Sequence, residues 1–146
     1  VLINAKKREE QTKMAELFSE QWMQSLVNEW NKEPEIVDPL SKIGFNSIIG
    51  YGFADEEKPR GVLTVENGRA VSGGAYKGEQ LNWDLRAKRE DWDKWLSKGL
   101  SMMSLGMAYT TGKLKFKVGD YMAMIKNPSM AGPFIKSFSV MGRVAA

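Results

Sequence analysis

The sequence predicts an α+β fold, with helices covering one face of a largely antiparallel sheet of five strands. Three observations carry this reading. Apolar and polar residues alternate with a period of two in short stretches between Phe45 and Val118. Apolar residues recur at helical spacing before, between and after those stretches. Asn67-Gly68 stands between two of the alternating runs, where a tight hairpin needs positive φ angles. Strands in a run with helices segregated around them belong to α+β proteins rather than to folds that alternate strand and helix. At 146 residues the chain reads as a single domain, 1–146, of which residues 1–13 are read as a tail.

The elements follow in order. "MAELFSEQWMQSLVNEW" places Met14, Leu17, Phe18, Trp22, Leu26 and Trp30 on one helical face. Pro34 and Pro39 are expected to end that helix and mark a loop. "KIGFNSIIGYGF" is a strand with Phe45, Ile49, Tyr51 and Phe53 on one face. Gly50 and Gly52 fall on the other, where something packs closely. "DEEKPRG" turns the chain into the "VLTVENGRAVSGGAY" hairpin. "LNWDLRA" then alternates Leu81, Trp83, Leu85 and Ala87 against Asn82, Asp84 and Arg86.

"KREDWDKWLSKG" is a helix, with acids in its first turn, Trp92, Trp95 and Leu96 on one face and Gly99 at its C-terminal cap. "SLGMAYTTG" is a further short helix. The tail "DYMAMIKNPSMAGPFIKSFSVMGRV" divides into two helical pieces at Asn127-Pro128, because the residue before a proline avoids the helical region. Met130, Phe134, Phe138 and Met141 share a face of the second piece, and Pro133 is expected in its first turn.

"TTGKLKFKVGD", Thr110 to Asp120, has the glycine-lysine pair with which a phosphate-cradling loop ends. Such a loop needs Ser or Thr after the lysine and a helix immediately after. Here Leu114 follows, and Lys113, Lys115 and Lys117 alternate with Leu114, Phe116 and Val118. The segment is a strand with a solvated lysine face, and Asp120 caps the helix beginning at Tyr121.

Composition narrows the chemistry. The chain has no cysteine and no histidine, which excludes thiol nucleophiles, disulfides, imidazole proton shuttles and the usual zinc sites. Asp84 with Asp91, and Asp120 with Lys117, are the acid–base arrangements that can be assembled, and surface charges or caps account for them better. No enzyme activity, metal or cofactor is therefore expected. The net charge of +3 favours transient contact with an anionic membrane surface or an acidic partner. Basic residues are scattered, so no nucleic acid is expected. "DLRAKREDWDKWL" interleaves aromatic and basic residues as a base-stacking surface does, but its acids favour an amphipathic helix. No apolar run approaches the ~20 residues of a membrane span, and the opening residues lack a signal-peptide pattern. A cytoplasmic location is expected.

Three segments together, "LNWDLRAKREDWDKWLSKG", "SLGMAYTTGKLKFKVGDYMAMI" and the tail rich in Met and Phe, resemble the sterol-carrier-protein type two family, also called the sterol-binding domain. Gly112-Lys113-Leu114-Lys115-Phe116-Lys117-Val118-Gly119-Asp120 matches the family's lysine strand and turn, and the resemblance runs from about Phe45 onward. It implies a five-stranded sheet and helices enclosing an apolar tunnel for a fatty acyl chain, acyl-CoA or a sterol-like ligand. It implies a non-catalytic carrier, or an auxiliary domain of a larger enzyme. The chain departs from the eukaryotic carriers in its tryptophan-rich middle and in lacking a peroxisomal C-terminus.

Methionine supports such a cavity, because its flexible, polarisable side chain adapts to apolar ligands of varied shape. The chain has nine, clustered at Met102, Met103 and Met107 and again at Met122, Met124, Met130 and Met141. Spacing alone reads these first as ordinary core. Combined with the proline-interrupted tail and the resemblance, they place an elongated cavity between the sheet and the C-terminal helices. Trp95, Leu100, Met103, Met107, Met122, Ile125, Phe134 and Phe138 are its candidate wall. The alternative is an interaction module for an enzyme of lipid or hydrophobic-compound metabolism, with the sheet or the tryptophan helix forming a homodimer or docking face.

Overall fold

The computed structural model describes residues 16–145. The tail 1–13 and Met14 lie outside the described residues. Helices α1 (Glu20–Asn31) and α2 (Pro34–Lys42) precede strands β1 (Ser47–Phe53), β2 (Gly61–Glu66), β3 (Arg69–Ala75) and β4 (Trp83–Ala87). Helices α3 (Arg89–Lys98) and α4 (Met102–Thr110), strand β5 (Lys115–Val118) and helices α5 (Tyr121–Ile125) and α6 (Pro128–Ala145) complete the chain. The five strands form one sheet in the order β3-β2-β1-β4-β5. Its outer pairings are antiparallel, while β4 lies parallel to β1, with Tyr51 beside Leu85. The sheet is therefore mixed.

Three local expectations are corrected. Leu17 and Phe18 do not belong to the first helix. Ser19 caps α1 by accepting from the Trp22 N–H at 3.3 Å, and Phe18 sits before it in the left-handed region with φ 65°. That turn drives the Phe18 ring into the core, where it is fully buried. Pro34 and Pro39 do not mark a loop. The fixed φ of Pro34 suits the first position of a new helix, and the Glu33 carboxylate caps it by accepting from the Glu35 N–H. Pro39 lies inside α2, tolerated because Ile36, Val37 and Leu40 bury that helix against the core. Pro133 likewise stands within α6, beyond its first turn.

The hairpin forms as its turn residues dictate, with φ 49° at Asn67 and 83° at Gly68. On β1, Ile49, Tyr51 and Phe53 are buried towards the helices. Opposite them, a side chain on Gly52 would come within 2.8 Å of the Pro59 backbone, so the β1–β2 connection lies directly over the strand. Around the last strand Leu114 is buried, Phe116 packs on the core and Lys113, Lys115 and Lys117 are exposed, as the alternation requires, but Val118 at the strand's end is exposed rather than covered. Asp120 caps α5 by accepting from the Ala123 N–H at 3.0 Å.

The polar face of β4 is not solvated, which its alternation concealed. Arg86 is 1% and Asp84 6% exposed. The guanidinium donates to both oxygens of Asp84, at 2.6 and 3.0 Å, and to the Glu56 carbonyl at 2.7 Å. It also reaches the carbonyls of Phe53 and Glu57. One arginine thus fastens the β1–β2 connection over the sheet and saturates a buried carboxylate. Replacing Arg86 with Met leaves Asp84 buried without its partner, and should cost about 3–5 kcal/mol in urea unfolding. Adding Asp84→Asn should recover part of that loss. A cost under ~1 kcal/mol would mean that the pair behaves as an exposed one.

Candidate functional site

Between the sheet and the C-terminal helices lies an apolar cavity of about 40 Å³. The sheet supplies Ile49, Tyr51, Trp83 and Leu85, and the first helices supply Trp30 and Leu40. Phe45 closes one side, and α5 and α6 complete the wall with Met124, Met130, Pro133, Phe134 and Ser137. Each side chain is there for a local reason. Period-two alternation turns Ile49 and Tyr51 inward on β1, and Trp83 and Leu85 inward beside them on β4. Trp30 is fixed by its indole N–H, which donates to the Gly68 carbonyl at 3.0 Å.

No charged side chain contributes to this wall, and its hydroxyls are those of Tyr51 and Ser137. Ser137 donates to the Phe134 carbonyl one turn back. Burial pushes the Tyr51 phenol well above its ordinary value, so it stays a neutral donor throughout the physiological range. The wall can therefore hold an apolar body and offer a single hydroxyl to a polar group. No carboxylate or amine stands beside these hydroxyls in the wall. Of the carboxylates named as acid–base partners, Asp84 is paired with Arg86 and Asp120 caps a helix. Among the described residues no three Asp or Glu side chains gather as a metal site would require.

The eight residues expected at a ligand wall fall in different places. Phe134 lines the cavity. Phe138 lies directly behind it in the core, its ring 5.4 Å from that of Phe134. Ile125 packs on the core at the end of α5. Trp95, Leu100 and Met107 border a separate, more open groove of about 670 Å³ between α3 and α4. Lys94, Lys98, Lys113 and the hydroxyl-bearing Ser101, Ser104, Thr111 and Ser139 complete that groove. Met103 and Met122 are exposed on α4 and α5. The helical phase of the tail located Phe134, but the wall residues on β1 and β4 were passed over. Their strand alternation was visible and was the signal that could have found them.

Among the described residues no helix is long and apolar enough to cross a membrane. No family model matches the chain, and no curated protein sequence matches it. Solved structures do. A crystal structure of sterol carrier protein 2 superposes with a TM-score of 0.71 at 23% identity, covering 89% of this chain and all of that one. The solution structure of a conserved hypothetical protein from Thermus thermophilus, described as possibly a sterol carrier protein, gives 0.59 at 21% identity. That match covers 89% of this chain and 87% of its own. The ubiquinone synthesis protein UbiJ-SCP2 gives 0.53 at 11% identity, over 81% of this chain and 86% of its own. The fold is that of sterol carrier protein 2.

The Tyr51 phenol has a pH consequence. Its folded pKa lies above the unfolded value of about 10, so above that pH the unfolded chain releases a proton that the folded chain keeps. Stability should be unaffected by this group below pH ~9 and should fall as pH rises past ~10. In urea unfolding across that range the Tyr51→Phe variant should lose less stability than the parent. Parallel alkaline profiles would show that the phenol ionises freely in the fold.

Proposed function

We propose that the protein is a non-catalytic carrier of a hydrophobic ligand, an acyl chain, acyl-CoA or sterol-like molecule held between the sheet and α5–α6. The observation that carries this reading is the wall itself, a dozen residues from six elements and one loop with no charge among them, on a fold shared with sterol carrier protein 2. A continuous core needs no such cavity, and an enzyme needs polar groups aimed into it.

At about 40 Å³ the cavity is far below the ~300–1,000 Å³ of ordinary ligand pockets, so a ligand must displace part of its wall. The tail is the part suited to move. Pro128 separates α5 from α6, and Gly132 and Pro133 weaken the first half of α6, because proline donates no backbone bond and glycine favours disorder. The second half is anchored, with Phe138, Val140 and Met141 fully buried. Opening the first half turns Met130 and Phe134 aside and extends the cavity into a tunnel along the sheet. Each methylene then buried stabilises the complex by about 0.8 kcal/mol, whatever chain it belongs to. Ligand choice is therefore broad, with the Tyr51 hydroxyl as the polar contact. The likeness to UbiJ-SCP2 supports a second reading, an accessory module that presents a hydrophobic compound to an enzyme.

Titration of the full chain with a fluorescent fatty acid such as cis-parinaric acid should show saturable binding. Phe134→Glu should weaken it at least tenfold, since an unpaired charge in an apolar wall costs roughly 2 kcal/mol or more. Because that variant also perturbs the fold, Met124→Trp serves beside it, filling the cavity without introducing charge and lowering affinity while the thermal melt stays cooperative. No saturable binding of fatty acids, acyl-CoA or sterol probes by the parent chain would remove the carrier reading.

A further inference from the structure

The charge and the exposed apolar surface of this protein are concentrated in one stretch. Residues 94–126 carry six lysines against a single aspartate, a net of +5, whereas the whole chain carries +3 and its remainder is therefore at −2. That aspartate, Asp120, is occupied as the cap of α5. Among the described residues, Lys94, Lys98, Lys113, Lys115, Lys117 and Lys126 form no ion pair, whereas Lys136 on α6 is paired with Glu33 and Glu35.

The same stretch holds the exposed methionines. Met103 is 78%, Met107 63%, and Met102 and Met122 each 50% exposed. On α4, Leu105 and Ala108 face the core, which turns Met103 and Met107, one turn apart, directly outward. α5 continues this surface, because the Tyr109 and Tyr121 rings stack with centroids 3.9 Å apart and Met122 follows. Met107 also borders the groove that Lys94, Lys98 and Lys113 line. Scattered exposed apolar residues need no explanation, but unbranched apolar side chains grouped within a free-lysine field do.

We infer that α4 and α5 dock the protein on an anionic lipid surface, the methionines entering the headgroup boundary and the lysines gathering acidic lipids around them. A helix with an apolar ridge, a basic surround and no acid on it is suited to lie in that boundary. Lysine heads reach sideways to the headgroups while their stems stay on the apolar side. Those on β5 act through the field, which extends about 8 Å at physiological ionic strength, while Lys94 and Lys98 share α3 with Glu90, Asp91 and Asp93. The composition favours lipid over an acidic protein. All six cations are lysine and none is arginine, whereas protein interfaces enrich arginine and deplete lysine. This inference does not depend on what the apolar cavity holds.

Sedimentation of the full chain with phosphatidylcholine vesicles, with and without about one-third phosphatidylserine, tests it. Binding should require phosphatidylserine and fall as salt is raised. The double variant Met103→Asp/Met107→Asp should lose roughly tenfold or more in binding, both sites being exposed so that the thermal melt is unchanged. Replacing Lys113, Lys115 and Lys117 with Ala should cost about fivefold for each lysine lost. Neither set should change fatty-acid binding in vesicle-free solution, which separates this result from the fate of the carrier reading. Equal binding to both vesicle types, or methionine and lysine variants that bind like the parent, would overturn the inference. Capture by polyglutamate but not by vesicles would overturn it in favour of an acidic protein partner.

Discussion

The indole of Trp92 is the contact on which the rest of the architecture converges. Its N–H donates to the Gly52 carbonyl at 2.9 Å, tying α3 to the C-terminal end of β1. Its ring meets Phe18 edge-on at 5.0 Å, Trp95 at 5.6 Å and Phe138 in a stack at 6.0 Å. The turn before α1, the long tail helix and the sheet are therefore held by one fully buried side chain whose polar atom is satisfied. The constraint runs outward from there. α3 follows β4 directly in the chain, and β4 lies beside β1 in parallel. The polar face of β4 is then roofed by the β1–β2 connection, and Arg86 supplies the donors which that roof requires.

How much of this could be read from the sequence depends on whether the deciding signal was local. Asn67-Gly68, Gly99 and Asp120 act within a few residues of themselves, and each produced the turn or cap that its chemistry demands. The lysine strand was equally legible, because burying Lys115 in place of Phe116 is energetically prohibitive. The errors arose where tertiary contacts override local preference. Pro39 is a helix breaker by propensity, yet Ile36, Val37 and Leu40 gain enough from burial to hold a helix around it, while Pro34 opens that helix at the position its fixed φ suits. Asp84 and Arg86 look like a solvated strand face because their shield comes from residues 54–60, about thirty positions earlier in the chain.

The candidate site shows the same division. Phe134 was reachable from helical phase alone, and phase could not separate it from Phe138, which shares its face but lies one turn deeper in the core. For methionine the residue type was a poor guide to position. Met124 and Met141 are buried, Met130 lines the cavity, and Met102, Met103, Met107 and Met122 are exposed. One property, adaptability, suits an internal wall and an external apolar ridge alike. Only the accompanying residues separate the two roles, aromatic and aliphatic neighbours around Met124, unpaired lysines around Met107.

The two surfaces are joined by an unbroken line of rings. From Trp92 the contacts run to Phe138, then to Phe134 at 5.4 Å, Phe116 at 5.8 Å and Tyr109 at 5.9 Å. Burial falls along this line, complete at Trp92 and Phe138, partial at Phe134 and Phe116, and lost at Tyr109, which is 37% exposed. A ligand displacing Phe134 would therefore meet rigid core on one side and a half-open aromatic corner beside α4 and α5 on the other. The tail is also unequally held. Lys136 and Arg143 tie its later turns to Glu29, Glu33 and Glu35, while no ion pair among the described residues holds the turns from Pro128 to Phe134. Through Phe116 and Tyr109, the free half of the tail connects to the helices that carry the methionine ridge. If α4 and α5 dock on a bilayer and the cavity takes a ligand, these rings are the apolar surface that lies between the two.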